Sequence, residues 1–228
     1  MIGLAERWHD VQGRVAAACA RAGRDPGEVT VVAVSKLHPA AAIDEAAAAG
    51  ITDVGENYAQ ELAAKQAVVR APVRWHFIGR LQRNKAKLVA GKVALIHAVD
   101  SVDLATELDR RAGVAGVLQP VLVAVNIAGE DTKGGVTPDA AAALVAAMAT
   151  LPHLRCEGLM TMPPPSDDPE EVRPCFRALR ALRDRLATAD RPLPVLSMGM
   201  SGDFEVAIAE GATHVRIGTA IFGERAAA

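Results

Sequence analysis

The chain has 228 residues, half of them hydrophobic, with a formal net charge of −2 and three cysteines. That length supports one large core or two small ones, and the near-neutral balance excludes the clustered basic surface that nucleic-acid binding calls for. Cys19, Cys156 and Cys175 are odd in number and lack CxxC spacing, which excludes a disulfide framework or zinc site, and no segment approaches the roughly 18 apolar residues of a membrane span.

The N-terminal segment MIGLAERWHD carries Glu6, Arg7 and Asp10 where a signal peptide needs an apolar stretch. A cytoplasmic protein touching neither membrane nor nucleic acid is expected, and a monomer, since nothing marks an obligate interface. A helix over residues 3–22 opens the chain. Strands follow at TVVAVS (30–35), TDVGE (52–56), WHFIG (75–79) and LIHAVD (95–100). PVLVAVNI (120–127), CEGLM (156–160), VLSMGM (195–200) and HVRIGT (214–219) complete the set. Helices are expected at 39–49, 57–70, 81–90, 101–112, 138–150, 169–188 and 203–210, several with Pro39, Ser101 or Thr137-Pro138 at their starts.

Strands that alternate with helices, several apolar on both faces, read as a parallel sheet covered by helices. Eight of them favour a closed (β/α)8 TIM barrel over an open sheet, as a single domain spanning 1–228 with an extra N-terminal helix. In such barrels the site lies at the C-terminal ends of the strands, so the residues closing each strand carry the functional reading.

Lys36 follows VVAVS. It is either a solvated loop residue or an amine in a dry barrel mouth, where desolvation lowers its pKa and frees it to form a Schiff base. MSGD after strand seven and IGT after strand eight expose backbone N–H groups and add the hydroxyls of Ser201 and Thr219. With Gly202 and Gly218, and a helix expected to begin near Ser201, they suit a phosphate, although the glycines also serve tight turns. A phosphate site beside a Schiff-base lysine suggests pyridoxal 5′-phosphate (PLP) or a sugar-phosphate aldolase. Arg216 distinguishes the two. A charge inside an apolar strand needs a partner, and a pyridine nitrogen is one that an aldolase lacks. Asn57 stands at a strand end, either facing a ligand or capping the next helix. His76 lies within WHFIG, as a core histidine or a cofactor neighbour. No His/Cys/carboxylate group has metal-ligand spacing.

The segments VAVSKLHP, GENYAQE, HFIGRLQRNK, HAVDS, VAVNIAGEDTKGG, GLMTMPP and LSMGMSGDFEVAIAEGATHVRIGTAIFG, in order from about residue 30 to 224, together resemble the pyridoxal phosphate homeostasis protein family. The resemblance implies a barrel of the alanine racemase N-terminal domain type, fold type III among PLP proteins. It further implies PLP on Lys36, its phosphate held by Ser201, Gly202, Gly218 and Thr219, and its ring nitrogen facing Arg216. Asn57 and His76 would border the cofactor, with Met198 and Met200 near the ring. Ala128 and Thr132 depart from the serines common at those positions. Members of the family bind PLP and are thought to buffer it or deliver it to apo PLP-dependent enzymes, without an established turnover. The alternative is a PLP enzyme such as an amino acid racemase. Such racemases take a second base, a tyrosine, from an additional C-terminal β domain for which the sequence leaves no room after Arg225; Tyr58 is the only tyrosine here.

Overall fold

The structure, a computed structural model, describes residues 2–130 and 134–224; Thr132 and Arg225 lie outside them. Eight parallel strands close into a barrel in which each pairs with the next in sequence and the last with the first. They are β1 (Thr30–Val34), β2 (Asp53–Glu56), β3 (Arg74–Phe77), β4 (Leu95–Val99), β5 (Gln119–Ala124), β6 (Leu154–Met160), β7 (Val195–Ser197) and β8 (His214–Ile217). Closure is set by β1 against β8, with Val32 opposite Arg216 and Ala33 opposite Ile217. The expected TIM barrel is the fold found.

Helices α1 (Leu4–Arg21), α2 (Ala40–Ala48), α3 (Ala59–Gln66), α4 (Val102–Ala115), α5 (Pro138–Met148), α6 (Arg173–Leu186), α7 (Phe204–Ala209) and α8 (Thr219–Phe222) surround it. The start signals work as their chemistry requires. Ser101 Oγ accepts the Leu104 N–H, and Thr137 Oγ1 accepts that of Ala140, each at 3.3 Å. Two expectations change. The 81–90 stretch forms a 3₁₀ turn at Arg83–Leu88. The 169–188 helix divides into a 3₁₀ turn at Pro169–Val172 and α6, which restarts at Arg173. Pro174 lacks an N–H and disfavours helical geometry before it, so it is tolerated only in a first turn.

The N-terminal helix is no appendage. Among the described residues after β8 the one helix is α8, four residues long and too short to cover the seam between β8 and β1. α1 packs against α7 and α8 on one side and α2 on the other, so it takes the eighth place in the outer ring. Its stripe Leu4, Trp8, Val11, Val15, Ala18 and Cys19 is buried at helical spacing. Arg24 fastens the end of this segment, donating from Nη1 to the carbonyls of Ile208 (2.9 Å) and Ala212 (2.8 Å).

Strand side chains that face outward, such as Ile96, Val121, Leu159, Leu196, Val215 and Ile217, form one apolar cluster with Phe176, Leu179 and Leu182 of α6. The interior differs from the layers of branched aliphatic residues usual in this fold. His97 of β4 is 2.8 Å from Ser197 of β7. Those strands are not neighbours, so the contact crosses the lumen. The rings of His76, His97 and His214 stand mutually 5.3–6.1 Å apart between centroids. The centre of this barrel is polar.

Candidate functional site

A cavity of about 400 Å³ opens at the C-terminal ends of the strands. Among the expected residues, Lys36, Asn57, Met200, Ser201, Gly202, Arg216, Gly218 and Thr219 all line it.

Lys36 sits in the turn leaving β1, followed by Leu37 at φ 64°, a conformation that costs a side-chain-bearing residue roughly 1–2 kcal/mol. The strain persists because the turn is pinned from behind. Glu61 Oε1 accepts the Leu37 N–H at 2.6 Å. Lys65 Nζ donates to Glu56 Oε1 (2.6 Å) and the Ser35 carbonyl (2.7 Å), and pairs with Glu61 (2.8 Å). Ser35 Oγ also donates to Glu56, at 2.6 Å. Burial pushes the Glu56 carboxyl up, although the hydrogen bonds from Lys65 and Ser35 oppose it. Lys65 thus hydrogen-bonds two acceptors, pairs with a third group and ties α3 to the backbone on both sides of Lys36.

The loops after β7 and β8 meet where Ser201 Oγ accepts the Gly218 N–H at 3.3 Å, and the Arg216 N–H bonds to the Gly199 carbonyl at 2.9 Å. Gly199 has φ 93°, and a Cβ there would stand 2.6 Å from the Ala207 Cβ, so only glycine lets α7 approach so closely. The helix expected from Ser201 starts at Phe204 and has six residues. An anion would therefore be met by the hydroxyls of Ser201 and Thr219 and by backbone at the turn, not by a long helix dipole. Around Gly202 a Cβ would meet nothing within 4 Å.

Arg216 is 6 % exposed. Its partners are neutral: Nη1 donates to Ser197 Oγ (2.7 Å) and Nη2 to the Thr161 carbonyl (2.9 Å). Burial lowers its pKa to about 10, against the opposing charge of Asp203. No direct carboxylate partner bonds it among the described residues.

Asn57 does not cap a helix; α3 is preceded by Tyr58, which makes no capping hydrogen bond. Its Oδ1 is buried with no hydrogen-bond partner among the described residues, an orphaned acceptor on the cavity wall. His76 is a correction. It does not line the cavity; its ring is buried inside the barrel, 2.8 Å from Asp53 Oδ1 and 3.1 Å from His97. Met198 is likewise fully buried and off the lining, and Tyr58 is 52 % exposed and also off it.

The far wall, built from the exits of β3 to β6, was not legible as site. It contributes Arg80, Asp100, Asn126, Met160 and Met162. Burial raises the Asp100 pKa while the Arg80 charge opposes it. Their positions at or just beyond strand ends were the available signal. Among the described residues no group of three or more His, Cys, Asp or Glu is placed to hold a metal.

A family profile described as "Alanine racemase, N-terminal domain" matches residues 12–226. A pyridoxal phosphate homeostasis protein of Aquifex aeolicus is 49 % identical over 222 residues, covering 96 % of this chain and 97 % of that protein. One from Pseudomonas aeruginosa is 44 % identical, covering 99 % and 97 %. Among solved structures, PipY of Synechococcus elongatus with PLP bound superposes with a TM-score of 0.84 at 36 % identity, covering 97 % of this chain and all of that one. An alanine racemase of Clostridium difficile, 15 % identical with a TM-score of 0.73, shares the fold. On this likeness along nearly its whole length, the chain belongs to the pyridoxal phosphate homeostasis protein family, within the wider alanine racemase N-terminal domain family.

Proposed function

We propose that this protein binds PLP at the C-terminal mouth of its barrel and serves PLP homeostasis, with Lys36 as the residue that holds the cofactor covalently and releases it. The observation that carries the reading is the convergence on one cavity of an amine, a hydroxyl-lined turn and a buried arginine, in a relative of a protein solved with PLP bound. The donor set fits the cofactor: Lys36 for its aldehyde, Ser201, Gly202, Gly218 and Thr219 for its phosphate, Arg216 for its ring nitrogen. The unpartnered Asn57 Oδ1 is an acceptor in want of a donor. When bound, PLP supplies an aldehyde that condenses with amines and a ring that draws electrons from the attached carbon.

The chain's own residues favour holding over turnover. Arg216 keeps its charge far above neutral pH even with its pKa at about 10, so it would hold the ring nitrogen unprotonated and dampen that electron withdrawal. The Glu56–Lys65–Glu61 cluster fixes the turn that presents Lys36, and Ile78, Met160 and Met200 make part of the cavity wall apolar. Tyr58 is off the cavity, which supports a peripheral role for it; a racemase would need a water as its second base. The whole chain is read as one domain, acting as a cytoplasmic monomer with apo PLP-dependent enzymes as recipients; no helix among the described residues is long and apolar enough to cross a membrane.

Lys36→Ala is expected to abolish the visible absorbance acquired on incubation with PLP. If that variant keeps a borohydride-reducible adduct, Lys36 is not the anchor. Mixing PLP-loaded protein with an apo PLP enzyme tests delivery: transfer faster than spontaneous dissociation supports it, and transfer at the dissociation rate leaves storage.

A further inference from the structure

The hydrogen bonds inside the barrel have a direction, and both ends fix it. Arg216 can only donate, and it donates to Ser197 Oγ. At the opposite end, Asp53 of β2 accepts at Oδ2 from Arg74 Nη2 (2.8 Å) and Thr52 Oγ1 (2.7 Å), and its Oδ1 lies 2.8 Å from His76 Nε2. Burial alone would raise its pKa, but the hydrogen bonds from His76, Arg74 and Thr52 outweigh burial and hold it below the usual carboxylate range. It is ionised and can only accept. Between these ends stand two links, Ser197 Oγ to His97 Nδ1 at 2.8 Å and His97 Nε2 to His76 Nδ1 at 3.1 Å.

Proton bookkeeping then allows one arrangement that satisfies every atom. Ser197 accepts from Arg216 and gives its own proton to His97 Nδ1. His97 therefore carries its proton on Nε2 and donates it to His76 Nδ1, and His76 donates from Nε2 to Asp53. Each ring is neutral with one donor and one acceptor. The reverse polarity needs a doubly protonated His76 and strands the Ser197 proton, for which no other acceptor stands within reach among the described residues.

We propose that Ser197, His97 and His76 form a one-way hydrogen-bond column, anchored on Asp53, that positions Arg216 beneath the PLP cavity. His97 is thereby a positioning residue for the cofactor although it lines no part of the cavity. The inference rests on the PLP-binding reading for its ligand but not for its geometry. The groups facing the two rings are Asp53 on β2, Arg74 on β3, Ser197 on β7, and His214 and Arg216 on β8, with Asp203 acting on Arg216 from the turn before α7. Burial first, with the Arg216 charge nearby, holds His97 well below its ordinary value, in keeping with a neutral ring.

The test has two arms. In ligand-free protein at about pH 8, imidazole ¹⁵N spectra are expected to show His76 and His97 both protonated at Nε2 alone. Asp53→Asn, whose amide can present a donor or an acceptor, is expected to put both rings into exchange between tautomers, His97 included although it does not touch residue 53. An imidazolium at His76, protons on the Nδ1 atoms, or a His97 spectrum unmoved by Asp53→Asn overturns the column. In the second arm, His97→Leu is expected to weaken PLP binding about tenfold, the effect of one buried hydrogen bond. His97→Gln, which offers one acceptor and one donor, is expected to recover most of it. Equal PLP affinity for wild type, Leu and Gln variants overturns the positioning role. A wild-type protein that binds no PLP refutes the functional reading and leaves the spectral arm to judge the column.

Discussion

Lys36 would be unremarkable chemistry without what stands behind it. Its neighbour Leu37 is held in a left-handed conformation while 59 % exposed, so no burial of that side chain offsets the strain. What offsets it is the acceptor Glu61 Oε1, itself fixed by Lys65. Lys65 is 7 % exposed and Glu56 fully buried, which gives the pair an asymmetry: both present is tolerable, one alone is not. Lys65→Met is expected to lower unfolding free energy by about 3–5 kcal/mol, by leaving Glu56 buried without its cation. Urea denaturation would measure it. A loss below about 1 kcal/mol would mean that the cluster is solvated and does not hold the turn. At this scale the sequence showed Lys36, Ser201 and Arg216 because each stood at a strand end or broke an apolar run. It hid Lys65, which reads as an ordinary helix-surface lysine, and it misplaced His76, because sequence marks a residue as interior without telling whether it reaches the cavity.

Among the elements, α1 shows the same limit in another form. Its apolar stripe at residues 4, 8, 11, 15, 18 and 19 was readable as a buried helix face. Which surface it covers was not, since that depends on the brevity of α8, four residues long and some two hundred positions away. The strands were legible throughout, because β-branched runs bounded by turn residues are local signals. The 81–90 segment was harder. Its buried positions, Leu81, Ala86, Val89 and Ala90, do not repeat at helical spacing over two turns, and i→i+3 bonds such as Val89 N–H to the Ala86 carbonyl serve it instead. If α1 completes the ring, then Trp8→Ala, which empties a 9 % exposed site, costs about 3–5 kcal/mol. An appended helix would show a much smaller loss in the same denaturation experiment, with a separate early transition.

At the scale of the molecule, a barrel filled with histidines responds to acid in a defined direction. Burial lowers His214 to about 4 and His97 well below its ordinary value, so the folded state refuses protons that the unfolded chain accepts near pH 6.5. Stability is therefore full above about pH 6.5 and falls as pH drops from there toward 4, by up to about 1.4 kcal/mol per pH unit for each ring. Asp53 adds a loss at lower pH: its folded-state pKa is depressed, so its contribution is present above the usual carboxylate value of about 3.9 and disappears as pH falls through the depressed one. Urea midpoints taken from about pH 7 down to 4 should decline steadily; midpoints flat across that window would show that the rings are charged in the folded state.

The seat of α1 also has a consequence in time. The helix is translated well before the surfaces that receive it, since α7 begins at Phe204 and β8 at His214. At roughly 5–20 residues per second, its apolar stripe waits on the order of 10–40 s at the ribosome before the chain that buries it has been made. During synthesis the first helix of this barrel is made long before α7 and α8, two of the elements that bury its stripe.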